Sequence, residues 1–215
     1  MSLTMLYDLL IASGETLYMV LVSTFFAVLL GLPLGTLLFS STKIKPHAFL
    51  NRFISGFINF SRSIPFIILL VALIPFTRLL VGTSIGIHAA MVPLTLGATP
   101  FFARLVDNIY QNVPNGLIEA GFSMGTNTWQ MIRFILFPEA FPALIQATTV
   151  TAITLVNYSA MAGTVGGGGL GDLAIRYGYQ RFNIGIMLAT VVILVVIVQL
   201  LQMGGDRLAR RFSHN

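Results

Sequence analysis

Long apolar stretches alternate with short charged ones along this chain, and the apolar stretches define its elements. No Asp, Glu, Lys or Arg falls between Glu15 and Lys43, nor over 79–103, 140–171 or 182–205. Even the shortest gap, 182–205, holds 24 residues. About 20 apolar residues rising ~1.5 Å each cross a hydrocarbon core ~30 Å thick. A fifth stretch, 63–77, is shorter, but extending it back to Phe53 passes only Arg62. The pattern predicts five spanning helices at 15–39, 56–77, 86–107, 141–163 and 183–205. Short loops and the absence of an internal repeat place them in one transmembrane domain over 1–215. The fold class is all-α and polytopic.

Composition agrees with the pattern: 56% of residues are hydrophobic, 9% are charged, and 17 are Phe, with a mean hydropathy of +0.88. The N-terminus lacks the basic region and small-residue cleavage site of a removable signal peptide, so the first span is read as retained. With no cysteine, neither disulfides nor a Cys-based metal site enters. A pI near 10.0 raises the question of nucleic acid, but Lys and Arg form no long run and have no aromatic interleaving. Topology explains the basic residues better. Placing the N-terminus outside puts Lys43, Lys45, Arg52, Arg62, Arg104, Arg133, Arg207, Arg210 and Arg211 inside, and only Arg78, Arg176 and Arg181 outside. That bias is the positive-inside one, so the C-terminus and the 108–140 loop are expected in the cytoplasm.

Proline and glycine fall within several spans: Gly31, Pro33 and Gly35 in the first, Pro65 in the second, and Pro93, Gly97 and Pro100 in the third. Membrane helices tolerate such residues because neighbouring helices satisfy the freed backbone groups. Small residues also let helices approach closely. Both bent, tightly packed helices and helices that rock during a cycle fit this pattern.

One segment interrupts the apolar plan. EAGFSMGTNTWQMIRFILFPEA, residues 119–140, carries two Glu, an Arg, two Gly and the single Trp. It is too polar for lipid and too patterned for a slack linker. VPNGLIEAGFSMG reads as a short helix begun near Pro114 or Asn115 and ended by Gly125. A second helix then restarts, capped by Thr126, Asn127 or Thr128, and Pro138 is expected to prevent its direct continuation.

The spacing Glu119-Ala120-Gly121, three residues, Gly125, nine residues, then Ile135-Leu136-Phe137-Pro138 resembles the EAA loop of ABC-importer permeases. Gly121 stands where that pattern has Ala, and Phe137 where it has Leu. The resemblance implies a type I ABC importer permease fold whose 114–138 loop forms a coupling helix in a groove on a cytoplasmic ATPase. Glu119, Ala120, Gly121, Gly125, Ile135, Phe137 and Pro138 would carry the coupling, with Glu119 placed to cap or hydrogen-bond it. FSRSIPFIILLVALIPFTRLLVGTSIG (60–86) and NYSAMAGTVGGGGLGDLAIRYGYQRF (157–182) resemble, more narrowly, permeases of methionine ABC transporters. That family implies a homodimer in the bacterial inner (cytoplasmic) membrane. It also implies two ATPase subunits that bind ATP and Mg, and an external methionine-binding protein. The permease itself would carry no cofactor and no catalytic residue, and would move methionine by alternating access.

A polar and thioether patch, Asn157, Tyr158, Ser159 and Met161, lies in the fourth span. Polar groups at membrane depth usually face a bundle interior or a water-filled path. One reading places Met161 at the dimer axis as a flexible gate, with Tyr158 and Ser159 lining the path. Ordinary helix packing is the other. Arg62 and Arg104 read as snorkelling anchors at the cytoplasmic face, or as contacts to the ATPase or the substrate exit.

Other patterns compete for function. Gly82-Thr83-Ser84-Ile85-Gly86 fits the nucleophile pattern GxSxG with His88 nearby, which makes an intramembrane serine hydrolase the enzyme alternative. A nucleophile elbow needs a preceding strand, however. A turn shaped by Gly82 and Gly86, with Ser84 capping the third span, is the plainer reading. Gly166–Gly169 lacks the Gly-Lys-Ser/Thr ending of a phosphate loop and reads as a flexible external turn. His47, His88 and His214 are far apart and imply no metal. An importer of another small amino acid or peptide, and a simple channel, are the remaining transport alternatives.

Overall fold

The computed structural model describes residues 3–212, and among these all regular structure is helical. Helix α1 (Leu3–Phe39) runs 37 residues, about 55 Å at ~1.5 Å per residue. It begins twelve residues before the expected span at 15. Asp8 and Glu15 bar that stretch from lipid but do not break a helix, so the charge gap marks the apolar slab and not the helix end. A π-helical turn (Ser40–Ile44) follows.

The expected second span is not one helix. α2 (Ala48–Ser63) and α3 (Phe66–Ala72) meet at a bend of 99°, and α4 (Ile74–Val81) follows after Leu73. The cause is local. Pro65 has no N–H to return to the Ser61 carbonyl, and its ring holds Ile64 extended at φ −83°, ψ 122°. Among the described residues, four helices, each taken with the turns that extend it, are therefore long and apolar enough alone to cross a membrane. A fifth crossing exists only if the bent pair counts as one.

α5 (Ile87–Gln111) and α10 (Ile184–Phe212) run through the stretches of the third and fifth expected spans and extend further at their C-terminal ends. The fourth differs more. α7 (Thr128–Gln130), a π-helical stretch (Met131–Leu136) and α8 (Phe137–Gly163) form one continuous helix, so Pro138 does not interrupt it. The wider π turns lie just ahead of Pro138 and accommodate its ring where a regular α turn would clash.

α1 packs along α5, and α8 closes on both and on α10. Met19, Val20, Leu94, Phe102, Ala103 and Leu155 fill the buried seams. The outside is as apolar as the inside: Phe25, Leu29, Leu79, Leu188, Val192 and Leu200 are all exposed. A water-facing surface would not carry such a belt, whereas lipid requires it.

The glycine run is not a slack turn. Gly166, Gly168 and Gly169 adopt φ of 84°, 80° and 73°, and the run leads into α9 (Gly169–Leu173). Glu15 Oε2 accepts the Gly169 N–H at 2.8 Å, and Thr16 Oγ1 accepts the Leu170 N–H at 2.9 Å. An acceptor from α1 thus satisfies orphan donors at the start of α9 and pins the segment. Beyond it, in the π-helical turn Ala174–Tyr179, Asp172 Oδ1 accepts from Arg176 Nε at 2.8 Å. That hydrogen bond holds the Arg176 guanidinium above its ordinary pKa.

Candidate functional site

Between α5 and α8 the chain builds a compact helical hairpin. Pro114, at φ −55°, stands before α6 (Asn115–Ser123). At its far end the Gly125 N–H donates to the Phe122 carbonyl at 2.9 Å, and the Thr126 N–H donates to the Gly121 carbonyl at 3.2 Å. This pair of bonds is a Schellman cap, and it needs a left-handed residue where Gly125 sits at φ 74°. Asn127 then opens the next helix through reciprocal bonds of 2.9 Å with Gln130, a capping box.

The buried face of α6 presents Ile118 and Gly121. They meet Met131 and Leu136 of the π-helical stretch, both fully buried among Val106, Tyr110 and Val113. A side chain begun at Gly121 would stand 2.6 Å from Ile135 Cδ1 and 2.7 Å from Met131 Cε, so the close approach of α6 leaves room for little more than a methyl here. Nothing lies within 4 Å of a Cβ placed at Gly125. That position faces outward.

The residues expected to couple divide accordingly. Glu119, Ala120, Gly125 and Pro138 lie on the exposed surface, whereas Gly121 and Ile135 form the joint beneath it. Phe137 points elsewhere, its ring 5.5 Å from that of Phe141. The Glu119 carboxylate has no hydrogen-bond partner among the described residues, whereas its backbone carbonyl accepts from Ser123 Oγ at 2.9 Å. It caps nothing, and its acceptors stay free. The motif spacing missed the apolar crest: Phe122, Met124, Trp129 and Phe134 are 46%, 72%, 66% and 68% exposed. Their clustering around a turn ordered by two caps was the available signal.

The patch on α8 also divides. The Tyr158 ring stacks on Phe66 with centroids 4.3 Å apart and 3° between planes, beside a cavity of about 190 Å³ at the α2–α3 break. Met161 is exposed. Ser159 is buried and its Oγ donates to the Val156 carbonyl at 2.8 Å, so it packs between helices and faces away from that cavity.

Arg104 is not a free anchor. It donates to Asp107 at 3.0 Å and to Asn59 of α2 at 2.9 Å, and Gln111 Nε2 donates to the same Asp107 oxygen at 2.9 Å. Arg62 has no carboxylate partner among the described residues. Ser84 caps nothing, because the N-cap of α5 is Gly86, whose N–H donates to the Gly166 carbonyl at 2.9 Å. His88 sets its ring edge-on to Tyr18 at 5.9 Å and makes no hydrogen bond to Ser84. Among the described residues no three His, Asp or Glu side chains gather as a metal site would require.

Residues 27–214 match the family described as "Binding-protein-dependent transport system inner membrane component". The probable D-methionine transport system permease protein MetI of Vibrio cholerae is 52% identical over 208 residues, covering 96% of this chain and 92% of that one. The D-methionine transport system permease protein MetI of Escherichia coli K12 is 53% identical over 165 residues, 76% of each chain. Among solved structures, a chain of the MetNI methionine ABC transporter in an inward-facing conformation superposes with a TM-score of 0.98. It is 50% identical, with 100% of both chains covered.

Proposed function

This chain belongs to the family of inner membrane components of binding-protein-dependent transport systems, and from that premise we propose that it is the permease subunit of an ATP-driven methionine importer. The observation that carries the substrate is identity near one half, sustained over almost the whole chain, to permeases named for methionine transport. The working assembly is two copies of this chain, two separate cytoplasmic ATPase subunits that bind ATP and Mg, and an external methionine-binding protein. The permease hydrolyses nothing itself.

α6 and the capped turn that follows it are the transmission. A short helix tied to the next one through a Schellman cap and a capping box moves with it as a unit, and the exposed Phe122 and Met124 offer apolar area to a groove on the ATPase. Closure of the two ATPases draws the two α6 helices together and switches the pathway from inward-open to outward-open. The permease is then a two-state element biased from both faces. Substrate passes near Tyr158 and Met161, and the clamped α9 segment lies on the side of the binding protein.

Two measurements test this reading. In cells lacking their own methionine transporter, this chain with its ATPase and binding protein confers uptake of labelled methionine. Excess unlabelled methionine competes and other amino acids do not; equal competition by unrelated amino acids would remove methionine as the substrate. For orientation, Thr126→Cys gives the single thiol in the chain. It reacts with a membrane-impermeant maleimide only after the membrane is opened. Labelling of intact cells would invert the topology.

A further inference from the structure

The α2–α3 break holds more than a kink. α2 ends in Ser61-Arg62-Ser63, and because Pro65 lacks an N–H, the Ser61 carbonyl loses its helical donor. Among the described residues no group donates to the carbonyls of Ser61, Arg62 or Ser63. The break opens onto the cavity of about 190 Å³ whose lining includes Ser61, Arg62, Phe66, Gly97 and Tyr158. Non-helical backbone within a membrane domain is tolerated where it lines such a cavity. The cavity is smaller than the ~300–1,000 Å³ of sites for drug-sized ligands, so it suits one small metabolite.

Three recognition elements converge there. Among the described residues no carboxylate pairs with the Arg62 guanidinium, and it offers a planar fork to one. The unpaired carbonyls at the C-terminus of α2, the negative end of its dipole, accept an ammonium. The stacked Phe66 and Tyr158 rings give an apolar, polarizable wall that suits a thioether. Their sum is complementary to a zwitterionic α-amino acid with an apolar side chain.

We propose that the α2–α3 break is a transient substrate site inside the permease, with Arg62 holding the α-carboxylate, the Ser61 and Arg62 carbonyls the α-ammonium, and Phe66 with Tyr158 the side chain. This inference rests on the methionine-import reading and adds the residues that touch the cargo in transit. Because Arg62 is exposed in the monomer and supports no ion pair among the described residues, replacing it leaves the fold intact.

The test uses the complete complex in liposomes with labelled methionine and ATP, reading transport and binding-protein-stimulated ATP hydrolysis in parallel. Arg62→Gln is expected to lower transport roughly 10- to 100-fold, the range for losing a charged hydrogen bond, while stimulated hydrolysis continues. Arg62→Lys, which keeps the charge without the fork, recovers part of the transport. Transport by Arg62→Gln at the wild-type rate would overturn the site, as would loss of hydrolysis together with transport, which would make Arg62 a coupling or structural residue. A wild-type complex that carries no methionine would remove the import reading and this site with it; failure in the variants alone removes only the site.

Discussion

Gly121→Ala retains methionine transport, and Gly121→Leu loses it by tenfold or more. The atoms facing a Cβ at this position are the ends of two flexible side chains, Met131 Cε and Ile135 Cδ1. A single methyl displaces them by rotation at a cost of about 1 kcal/mol, the low end for overpacking. The related loop pattern carries alanine here, in keeping with that tolerance. A leucine cannot be absorbed that way, because Met131 and Leu136 behind those tips are fully buried. α6 must instead lift from the π-helical stretch and carry Phe122 and Met124 away from the register proposed for the ATPase groove. An uptake series over Ala, Val and Leu, with the amount of assembled complex held equal, checks this. A flat series would mean that the joint transmits nothing.

Gly163→Ala is expected to be the most destabilising single methyl in the chain. Its Cβ would overlap the Asp172 amide nitrogen and come within 2.5 Å of the Gly171 carbonyl carbon. These are backbone atoms of α9, which Glu15 and Thr16 hold from the opposite side. With no flexible tip to yield, the cost reaches about 3 kcal/mol. At about 2–4 °C per kcal/mol for a chain of this size, the midpoint of the purified protein falls by roughly 6–12 °C. Gly56→Ala is the control: it lies within α2 with nothing within 4 Å of its Cβ. Relief of glycine's backbone entropy should stabilise it by ~0.5–1 kcal/mol. Equal midpoints for the two variants would show that α8 and α9 do not pack as described.

What could be read from the sequence was local or periodic. Charge gaps located the apolar slabs because ions are excluded from lipid. They could not locate helix ends, since α1 passes through Asp8 and Glu15 without breaking. Prolines were ambiguous for a related reason. Pro33, Pro93, Pro100 and Pro142 sit inside continuous helices, while Pro65 ends one, and packing partners decide between the two outcomes. The turn at Gly125 was legible because a Schellman cap is built from six consecutive residues. The Glu15 clamp was not: it joins groups 154 residues apart, and a run of glycines gives no sign of what will hold it. The cap expected of Glu119 does not form within this chain, because its carboxylate lies exposed and without a partner among the described residues. Ser159 and Tyr158 are neighbours in sequence, but a helix turns ~100° per residue, so only one of them faces the cavity.

The most direct measurement is ATP-driven accumulation of labelled methionine in liposomes containing this chain, its ATPase and its binding protein, with Gly125→Asp alongside. A Cβ at Gly125 would meet nothing within 4 Å, so Asp there adds no clash while placing charge and left-handed strain on the turn proposed to face the ATPase. Accumulation that requires ATP, and that disappears in a Gly125→Asp complex of normal composition, is the predicted result. An assembled wild-type complex that hydrolyses ATP and accumulates no methionine would contradict it.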